Sequence, residues 1–178
     1  MTTHSLTRSL VIAALMVALG VTLPLAVHLA KIGGPILCPM HIPIFLAGLL
    51  LEPGWALVVA VMAPILSFIL TGMPPMSPPM LPLMVVELSF YAVSISLLTR
   101  HTRYNIWVSL PLSMIIGRIG LGLAAAVIGP LFNFNVNPLV YVYGALIQAL
   151  PGIALQLLII PALVKVPSIS AQLAYKNR

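Results

Sequence analysis

Residues 80–98 read MLPLMVVELSFYAVSISLL, and residues 107–129 read WVSLPLSMIIGRIGLGLAAAVIG. Each stretch is long enough to cross the hydrocarbon layer of a membrane as a helix, which takes about 20 apolar residues. Each also carries one charge, Glu87 in the first and Arg118 in the second. A charge at that depth costs on the order of 2.5–3.5 kcal/mol and normally faces a protein interior or a watery cavity. The pair therefore indicates either a structural ion pair or the polar floor of a small-molecule site.

The composition of the whole chain is typical of an integral membrane protein. Of its 178 residues, 61% are hydrophobic and 6% are charged, whereas soluble domains are roughly 25% charged. The hydrophobic stretches are too many and too evenly spread for a signal peptide followed by a soluble domain. A single cysteine, Cys38, excludes an intrachain disulfide, and the four histidines are scattered, so we expect no metal site. Membrane topology explains the net charge of +6 better than nucleic-acid binding does.

Six segments fit transmembrane helices, and the second of them is short. The second and third are separated only by Glu52-Pro53-Gly54, which is turn chemistry and predicts a tight hairpin. We therefore expect an all-α integral membrane protein with six transmembrane helices in a single domain that covers residues 1–178. The predicted spans are approximately Leu10–Val27, Met40–Leu51, Trp55–Leu70, Leu81–Leu98, Ile106–Leu131 and Leu139–Val164.

The distribution of positive charge predicts the orientation in the cell membrane. If the N-terminus is inside, six positive side chains fall on the cytoplasmic side and Lys31 alone falls outside. This asymmetry follows the positive-inside rule, so we expect both termini in the cytoplasm. The six cytoplasmic side chains are Arg8, Arg100, Arg103, Lys165, Lys176 and Arg178.

The orientation places three loops outside, at residues 28–39, 71–79 and 133–138. All three are rich in proline, glycine or asparagine and poor in charge. Because prolines favour extended, stiff backbone, the second loop is predicted to be either a plain connector or a methionine-lined lid over an outward-facing pocket. The third loop offers three amides, Asn133 among them, that are able to grasp a ligand.

Polar and small side chains form seams on the last three predicted helices. Glu87, Tyr91 and Ser94 share one helix face, and Arg118 shares another with small residues. The last helix has a stripe of Tyr141, Ala145, Gln148, Gly152 and Gln156.

These seams are expected to converge in the outer half of the bundle. Interhelical hydrogen bonds alone would also explain polar seams. A continuous ion pore would need polar lining through the whole thickness, so a blind cavity that opens outward fits better. The candidate ligand-binding residues are Glu87, Arg118, Tyr91, Tyr141, Gln148, Asn133 and His41.

The residues from His41 to Leu98 resemble the substrate-binding S components of energy-coupling-factor (ECF) vitamin transporters. The likeness runs from His-Ile-Pro-Ile-Phe-Leu-Ala-Gly-Leu-Leu-Leu through Thr-Gly-Met-Pro-Pro to Val-Val-Glu-Leu. The length near 180 residues, the short second span and the spacing Ala14-xxx-Ala18 on the first helix support it. The resemblance covers most of the chain.

This resemblance implies a six-helix S-component bundle that holds a vitamin or precursor in an outward cavity with high affinity. It further implies that the Ala14 and Ala18 face docks on a transmembrane coupling subunit energised by two ATPases, and that the S component topples to deliver its substrate. The chain has no GxxxxGK[ST] phosphate loop. We therefore expect no enzymatic activity and no cofactor, with any ATP hydrolysed by partner subunits.

The substrate stays open at the level of sequence. Arg118 would suit a carboxylate through its planar fork of donors, and Glu87 could accept hydrogen bonds from an amide, a hydroxyl or a protonated ring nitrogen. If the two side chains neutralise each other, the carboxylate argument fails. Within the family, pantothenate, niacin, pyridoxine-like or pyrimidine compounds and dimethylbenzimidazole are candidates.

Three other functions compete with this interpretation. A self-sufficient proton-coupled carrier would use Glu87 as its titrating group and would be favoured by inverted repeats. No convincing repeat relates residues 1–90 to residues 91–178. A membrane-embedded enzyme would need a nucleophile with its base, or a metal cluster, and the sequence supplies neither. A purely structural membrane subunit would leave the cost of two intramembrane charges without a functional reason.

Overall fold

The structure is a computed structural model that describes residues 3–31, 34–76, 79–101, 105–134 and 137–167. Those residues form seven helical elements: α1 (Thr3–Leu29), α2 (Gly34–Leu37), α3 (His41–Leu50), α4 (Pro53–Thr71), α5 (Met80–His101), α6 (Ile106–Leu131) and α7 (Pro138–Val164). Some residues used in the sequence argument lie outside the described residues, namely Gly33, Ser77, Pro78, Arg103, Asn135, Lys176 and Arg178.

Five of these helices are long and apolar enough to cross a membrane, namely α1, α4, α5, α6 and α7. The second predicted span is α3, which is apolar but has only 10 residues. The expected all-α membrane bundle with a short second helix is confirmed.

The five long helices form an open ring around α3. Along the ring, α1 packs on α4, α4 on α5, α5 on α6 and α6 on α7. Among the described residues α1 and α7 do not touch, and the single turn α2 lies between them and packs against both. The central helix α3 contacts α1, α4, α5 and α7, and eight of its residues are buried. Because protein surrounds α3 on nearly all sides, its length does not have to match the membrane.

One end of the bundle, here called the turn end, holds the start of α1, the α3–α4 turn, the α5–α6 junction and the end of α7. The predicted hairpin at Glu52-Pro53-Gly54 is present, with Pro53 in the first turn of α4, where a missing N–H is harmless. Ser96 Oγ donates to the carbonyl oxygen of Leu51 (3.1 Å), and Arg100 Nη1 lies 3.8 Å from Glu52 Oε1. These contacts fasten the hairpin to α5.

The opposite end of the bundle is here called the cavity end. One segment there has a different position from the one predicted. Residues 28–39 were expected to form an outer loop, but α2 packs between α1 and α7, and Cys38 is half-buried. Gln156 Nε2 donates to the carbonyl oxygen of Cys38 (3.4 Å), and a Cβ at Gly152 would lie 2.7 Å from the carbonyl oxygen of Leu37. At 1.5 Å per residue, Gly152 and Gln156 lie about 21 and 27 Å from the start of α7, a helix of 27 residues. The segment before α3 therefore descends to the middle of α7.

This descent explains the short second helix. Starting from mid-depth, the 10 residues of α3 cover about 15 Å and reach the turn end. His41, expected at the outer start of the second helix and among the ligand-binding residues, lies deeper, beside Tyr91, with ring centroids 5.3 Å apart. Non-helical backbone is tolerated at membrane depth only where protein buries it or it lines a cavity. Residues 34–40 meet that condition because they pack on α7 and border the cavity described below.

Candidate functional site

A cavity of about 380 Å³ lies among the helices at the cavity end. Pockets that bind small molecules usually measure roughly 300–1,000 Å³ and are mostly apolar with a few placed polar groups. The walls come from α1, α4, α5, α6 and α7, together with residues 38–41 and 73–75. Segments that are distant in sequence therefore converge on one volume.

Glu87, Arg118 and Tyr91 form a buried polar cluster at the floor of this cavity. Arg118 Nη1 lies 2.8 Å from Glu87 Oε1, and Tyr91 Oη donates to the same oxygen (2.7 Å). The i, i+4 spacing places Tyr91 on the face of Glu87. Gly117 makes room for the Tyr91 ring against α6, because any Cβ at Gly117 would overlap that ring. Glu87 and Arg118 thus pair with each other and both line the cavity.

The pairing leaves hydrogen-bonding capacity unused at the cavity floor. The contacts from Arg118 and Tyr91 to Glu87 are both at Oε1. Arg118 Nε and both ring nitrogens of His41 are buried without a hydrogen bond of normal geometry to any described residue. Buried polar atoms in native proteins nearly always have partners. A bound molecule or ordered water would satisfy these atoms.

The polar stripe of α7 has two separate roles along its length. Tyr141, Ala145 and Gln148 line the cavity, and Phe134 meets the Tyr141 ring edge-on, with centroids 5.7 Å apart. Further along the helix, Gly152 and Gln156 hold α2 and Cys38 in place. The first half of the stripe therefore borders the cavity, although Gln148 stays exposed, and the second half packs on the segment before α3.

Methionines and prolines cover the cavity. Gly72 ends α4 with φ 72°, in the left-handed region that favours glycine, and its N–H donates to the carbonyl oxygen of Phe68 (2.8 Å). This reversal brings Met73, Pro74 and Pro75 over the cavity. Met40, Met80 and Met84 line the cavity as well. Methionine side chains are flexible and polarizable, so this lining can adapt to a ring or a short chain.

Not every predicted site residue reaches the cavity. Five of them line it, namely Glu87, Arg118, His41, Tyr141 and Gln148. Tyr91 is buried behind Glu87, so it positions the carboxylate and does not border the cavity itself. Asn133 is exposed beyond the end of α6 with φ 54°, a backbone conformation that asparagine tolerates. Its N–H donates to the carbonyl oxygen of Pro130 (3.2 Å), which gives it a role in the turn.

Sequence reasoning also missed lining residues. Ser67 and Thr71 border the cavity from α4, and Thr71 Oγ1 donates to the carbonyl oxygen of Ser67 (2.6 Å). Their i, i+4 spacing at the end of an apolar helix was an available signal. Cys38 and Pro39 border the cavity because their segment descends into the bundle, and local sequence gave only the short second span as a hint.

The outer surface of α1 carries a strip of small residues. Ala14 and Ala18 are exposed, while their neighbours Ala13 and Met16 are buried against the bundle. Thr22 continues the spacing, and its Oγ1 donates to the carbonyl oxygen of Ala18 (2.9 Å), so its hydroxyl is satisfied within the helix. Small residues at this spacing allow another helix to approach closely.

Comparison with protein families decides the class of the protein. The family model for the substrate-specific component of ECF transporters matches residues 8–164. The chain belongs to this family. As an S component it is a multi-pass membrane transport protein, with a substrate and with the ECF module as its partner. Searches of the curated proteins and of the solved structures found no match.

Proposed function

We propose that this S component binds a small vitamin or vitamin precursor in the cavity and delivers it to the cytoplasm by docking on an ATPase-driven coupling module. The observation that carries the proposal is the cavity itself, whose floor combines the Glu87–Arg118 pair with the unpartnered nitrogens of His41. A small molecule with a few polar groups would satisfy these atoms and fill the apolar remainder.

The proposed orientation puts the cavity end outside the cell and the turn end in the cytoplasm. Arg8, Arg100 and Lys165 lie at the turn end, and Lys31 follows α1 at the cavity end, as the positive-inside rule requires. Below the cavity the core is closed by apolar side chains such as Phe45, Leu88 and Ile95, all buried. A closed core favours a binding subunit that needs a partner for release over a pore.

The proposed docking surface is the small-residue strip of α1. Its exposure leaves Ala14 and Ala18 available to a helix of the coupling subunit, and the two ATPases of the module would hydrolyse the ATP. The substrate candidates remain pantothenate, niacin, pyridoxine-like or pyrimidine compounds and dimethylbenzimidazole.

Tryptophan substitution on α1 tests the proposal, because it separates binding from transport. Ala14→Trp and Ala18→Trp should abolish uptake in cells that express the ECF module, while the purified variants bind substrate as the wild type does. Ala126→Trp is the matched control, since Ala126 is an exposed alanine on α6, away from the strip. Uptake that survives both α1 substitutions would show that α1 is not the docking surface.

A second uptake experiment distinguishes the S component from a self-sufficient proton-coupled carrier. Uptake should stop when the ATPases carry inactivating substitutions and should persist when the proton gradient is collapsed at constant ATP. The reverse pattern would overturn the proposal and favour a self-sufficient carrier with Glu87 as the titrating group.

A further inference from the structure

The N-terminus of α3 opens onto the cavity from the middle of the bundle. Pro39, Met40 and His41 all border the cavity, and the N-cap residue Met40 provides no side-chain hydrogen bond to the helix. The N-terminus of a helix has a partial positive charge of about half a unit, which attracts anions. In α3 the His41 N–H already donates to the carbonyl oxygen of Cys38 (3.0 Å) and Pro43 has no N–H, so this end offers mainly its partial charge. Most helix ends at a membrane meet water, whereas this one meets the floor of a cavity.

His41 gives a second, independent sign that a ligand binds there. His41 is 5% exposed and borders the cavity, yet neither ring nitrogen makes a hydrogen bond of normal geometry with the described part of the chain, where the backbone of Cys38 lies near the ring. A neutral imidazole always has one N–H donor. A buried donor without an acceptor is costly, by roughly 1–3 kcal/mol, so an acceptor from a bound molecule would be favoured.

Arg118 adds further donors at the same floor. Its Nη1 is engaged by Glu87, but its Nε is buried without a partner among the described residues. A guanidinium presents its N–H groups in a planar fork that matches the two oxygens of a carboxylate. Arg118 can thus hold Glu87 and still offer donors to a second acceptor.

The charge balance of the site selects the sign of the ligand. Glu87 offsets the charge of Arg118, and the N-terminus of α3 adds a partial positive charge at the floor, while the C-terminus of α4 lies at the cover beside Thr71. The chain has two acidic residues in all, and the other one, Glu52, is at the turn end. A cationic ligand would find no second carboxylate in the cavity, whereas a monoanion would neutralise the remaining charge.

We infer that the N-terminus of α3, His41 and Arg118 form a carboxylate subsite, and that the substrate of this S component is a small monocarboxylate. The inference rests on the proposed function and narrows its substrate class. The acid group lies at the floor beside His41 and Arg118, and the rest of the molecule contacts Met73, Met80 and Met84 near the cover. Glu87 Oε2 then accepts a hydrogen bond from a hydroxyl, amide or ring N–H of the ligand.

Matched acid and neutral compounds test this directly on the purified full-length chain in detergent. The probes are nicotinate against nicotinamide and pantothenate against pantothenol, with thiamine as a cationic probe, measured by isothermal titration calorimetry. We expect at least one acid to bind, and to bind about 10- to 100-fold more tightly than its neutral partner, which is the range for a hydrogen bond to a charged group. Thiamine should not bind.

Variants locate the acid group within the cavity. Arg118→Gln and His41→Phe should each reduce the preference for the acid over its neutral partner, whereas Tyr143→Phe should not, because Tyr143 is exposed on the outer face of α7. If the variants fail to fold, the wild-type preference still decides the question. An acid preference that persists unchanged in folded Arg118→Gln and His41→Phe would overturn the subsite.

Failure of this inference can be told apart from failure of the proposed function. If a neutral or cationic compound binds as well as or better than every acid, the carboxylate subsite is wrong and the vitamin-binding function stands. If no compound binds, the inference is overturned as well. In that case ATPase-dependent uptake of some other vitamin in cells would preserve the proposed function, and its absence would overturn that too.

Discussion

The two ends of the bundle treat their buried polar groups in opposite ways. Toward the turn end, Ser96 and Ser113 both donate to backbone carbonyls, and Glu52 pairs with Arg100. Arg100 Nε lacks a partner there, but its side chain is 23% exposed and reaches the surface. At the cavity floor, His41 and Arg118 Nε are buried without partners. Packing at the turn end therefore stabilises the fold, while the cavity end keeps its hydrogen-bonding capacity for a ligand.

The largest loss of stability is expected from overpacking the contact between α3 and α5 near the turn end. A Cβ at Gly48 would lie 2.6 Å from the carbonyl oxygen of Ala92, and backbone cannot move aside as a side chain can. We expect Gly48→Val to lower the free energy of unfolding by about 4 kcal/mol or more. Thermal unfolding of the purified protein, followed by fluorescence or light scattering, measures this.

Gly144→Ala is the control for this substitution. Gly144 is also in a helix, but a Cβ there meets nothing within 4 Å. Its melting temperature should match or slightly exceed that of the wild type. Equal melting temperatures for the two variants would contradict the assignment of fold stability to the α3–α5 contact.

Breaking the buried ion pair should affect both stability and binding. Arg118→Gln leaves Glu87 buried without its partner, so we expect a loss of about 3 kcal/mol in unfolding free energy. The double variant Glu87→Gln with Arg118→Gln should recover much of that stability, because two neutral amides replace an unpaired charge. It should not recover ligand binding. Recovery of both would show that the pair is purely structural.

Removing one hydroxyl at the cavity floor should weaken binding more than it weakens the fold. Tyr91→Phe deletes the donor to Glu87 Oε1, which is a buried hydrogen bond to a charged group worth about 1.5–3 kcal/mol. We expect ligand affinity to fall by roughly tenfold, since the carboxylate is less well held, with a smaller drop in melting temperature than for Arg118→Gln. Tyr143→Phe, on an exposed tyrosine of α7, should change neither quantity.

The smallest effect is expected where α7 holds the descending segment. Gln156 Nε2 donates to the Cys38 carbonyl oxygen at 3.4 Å, a long hydrogen bond, and such bonds in membrane bundles average about 0.6 kcal/mol. Gln156→Leu should therefore lower the melting temperature slightly and weaken ligand binding by a few-fold at most. A loss of binding as large as that in Arg118→Gln would mean that Gln156 contributes more than a packing contact.

Much of this fold could be predicted from sequence, because membrane spans depend on local properties. Length and hydropathy decide the long helices, and Glu52-Pro53-Gly54 decides the hairpin through turn chemistry. The α7 stripe was found because helical periodicity places Tyr141, Ala145 and Gln148 on one face. Glu87 and Arg118 were found because charges at membrane depth need a reason.

The rest depended on tertiary contacts that no local pattern specifies. The descent of residues 34–40 is fixed by the close approach of α2 to Gly152, and a glycine in a helix gives no sign of which backbone it will meet. Asn133 was predicted to bind a ligand through its side-chain amide, but it lies in the turn after α6 with a left-handed backbone conformation. The sequence also left open whether Glu87 and Arg118 pair with each other or bind a ligand. In the structure they pair, and Arg118 Nε is still without a partner among the described residues.

Native mass spectrometry of the purified chain with a panel of B vitamins and their precursors tests most directly whether the cavity is the substrate site. The wild type and the Glu87→Gln, Arg118→Gln double variant would be measured side by side. We predict one compound bound to the wild type with one-to-one stoichiometry, and no bound compound in the double variant. Equal binding to both proteins, or no binding to the wild type, would contradict the claim that this cavity is the substrate site.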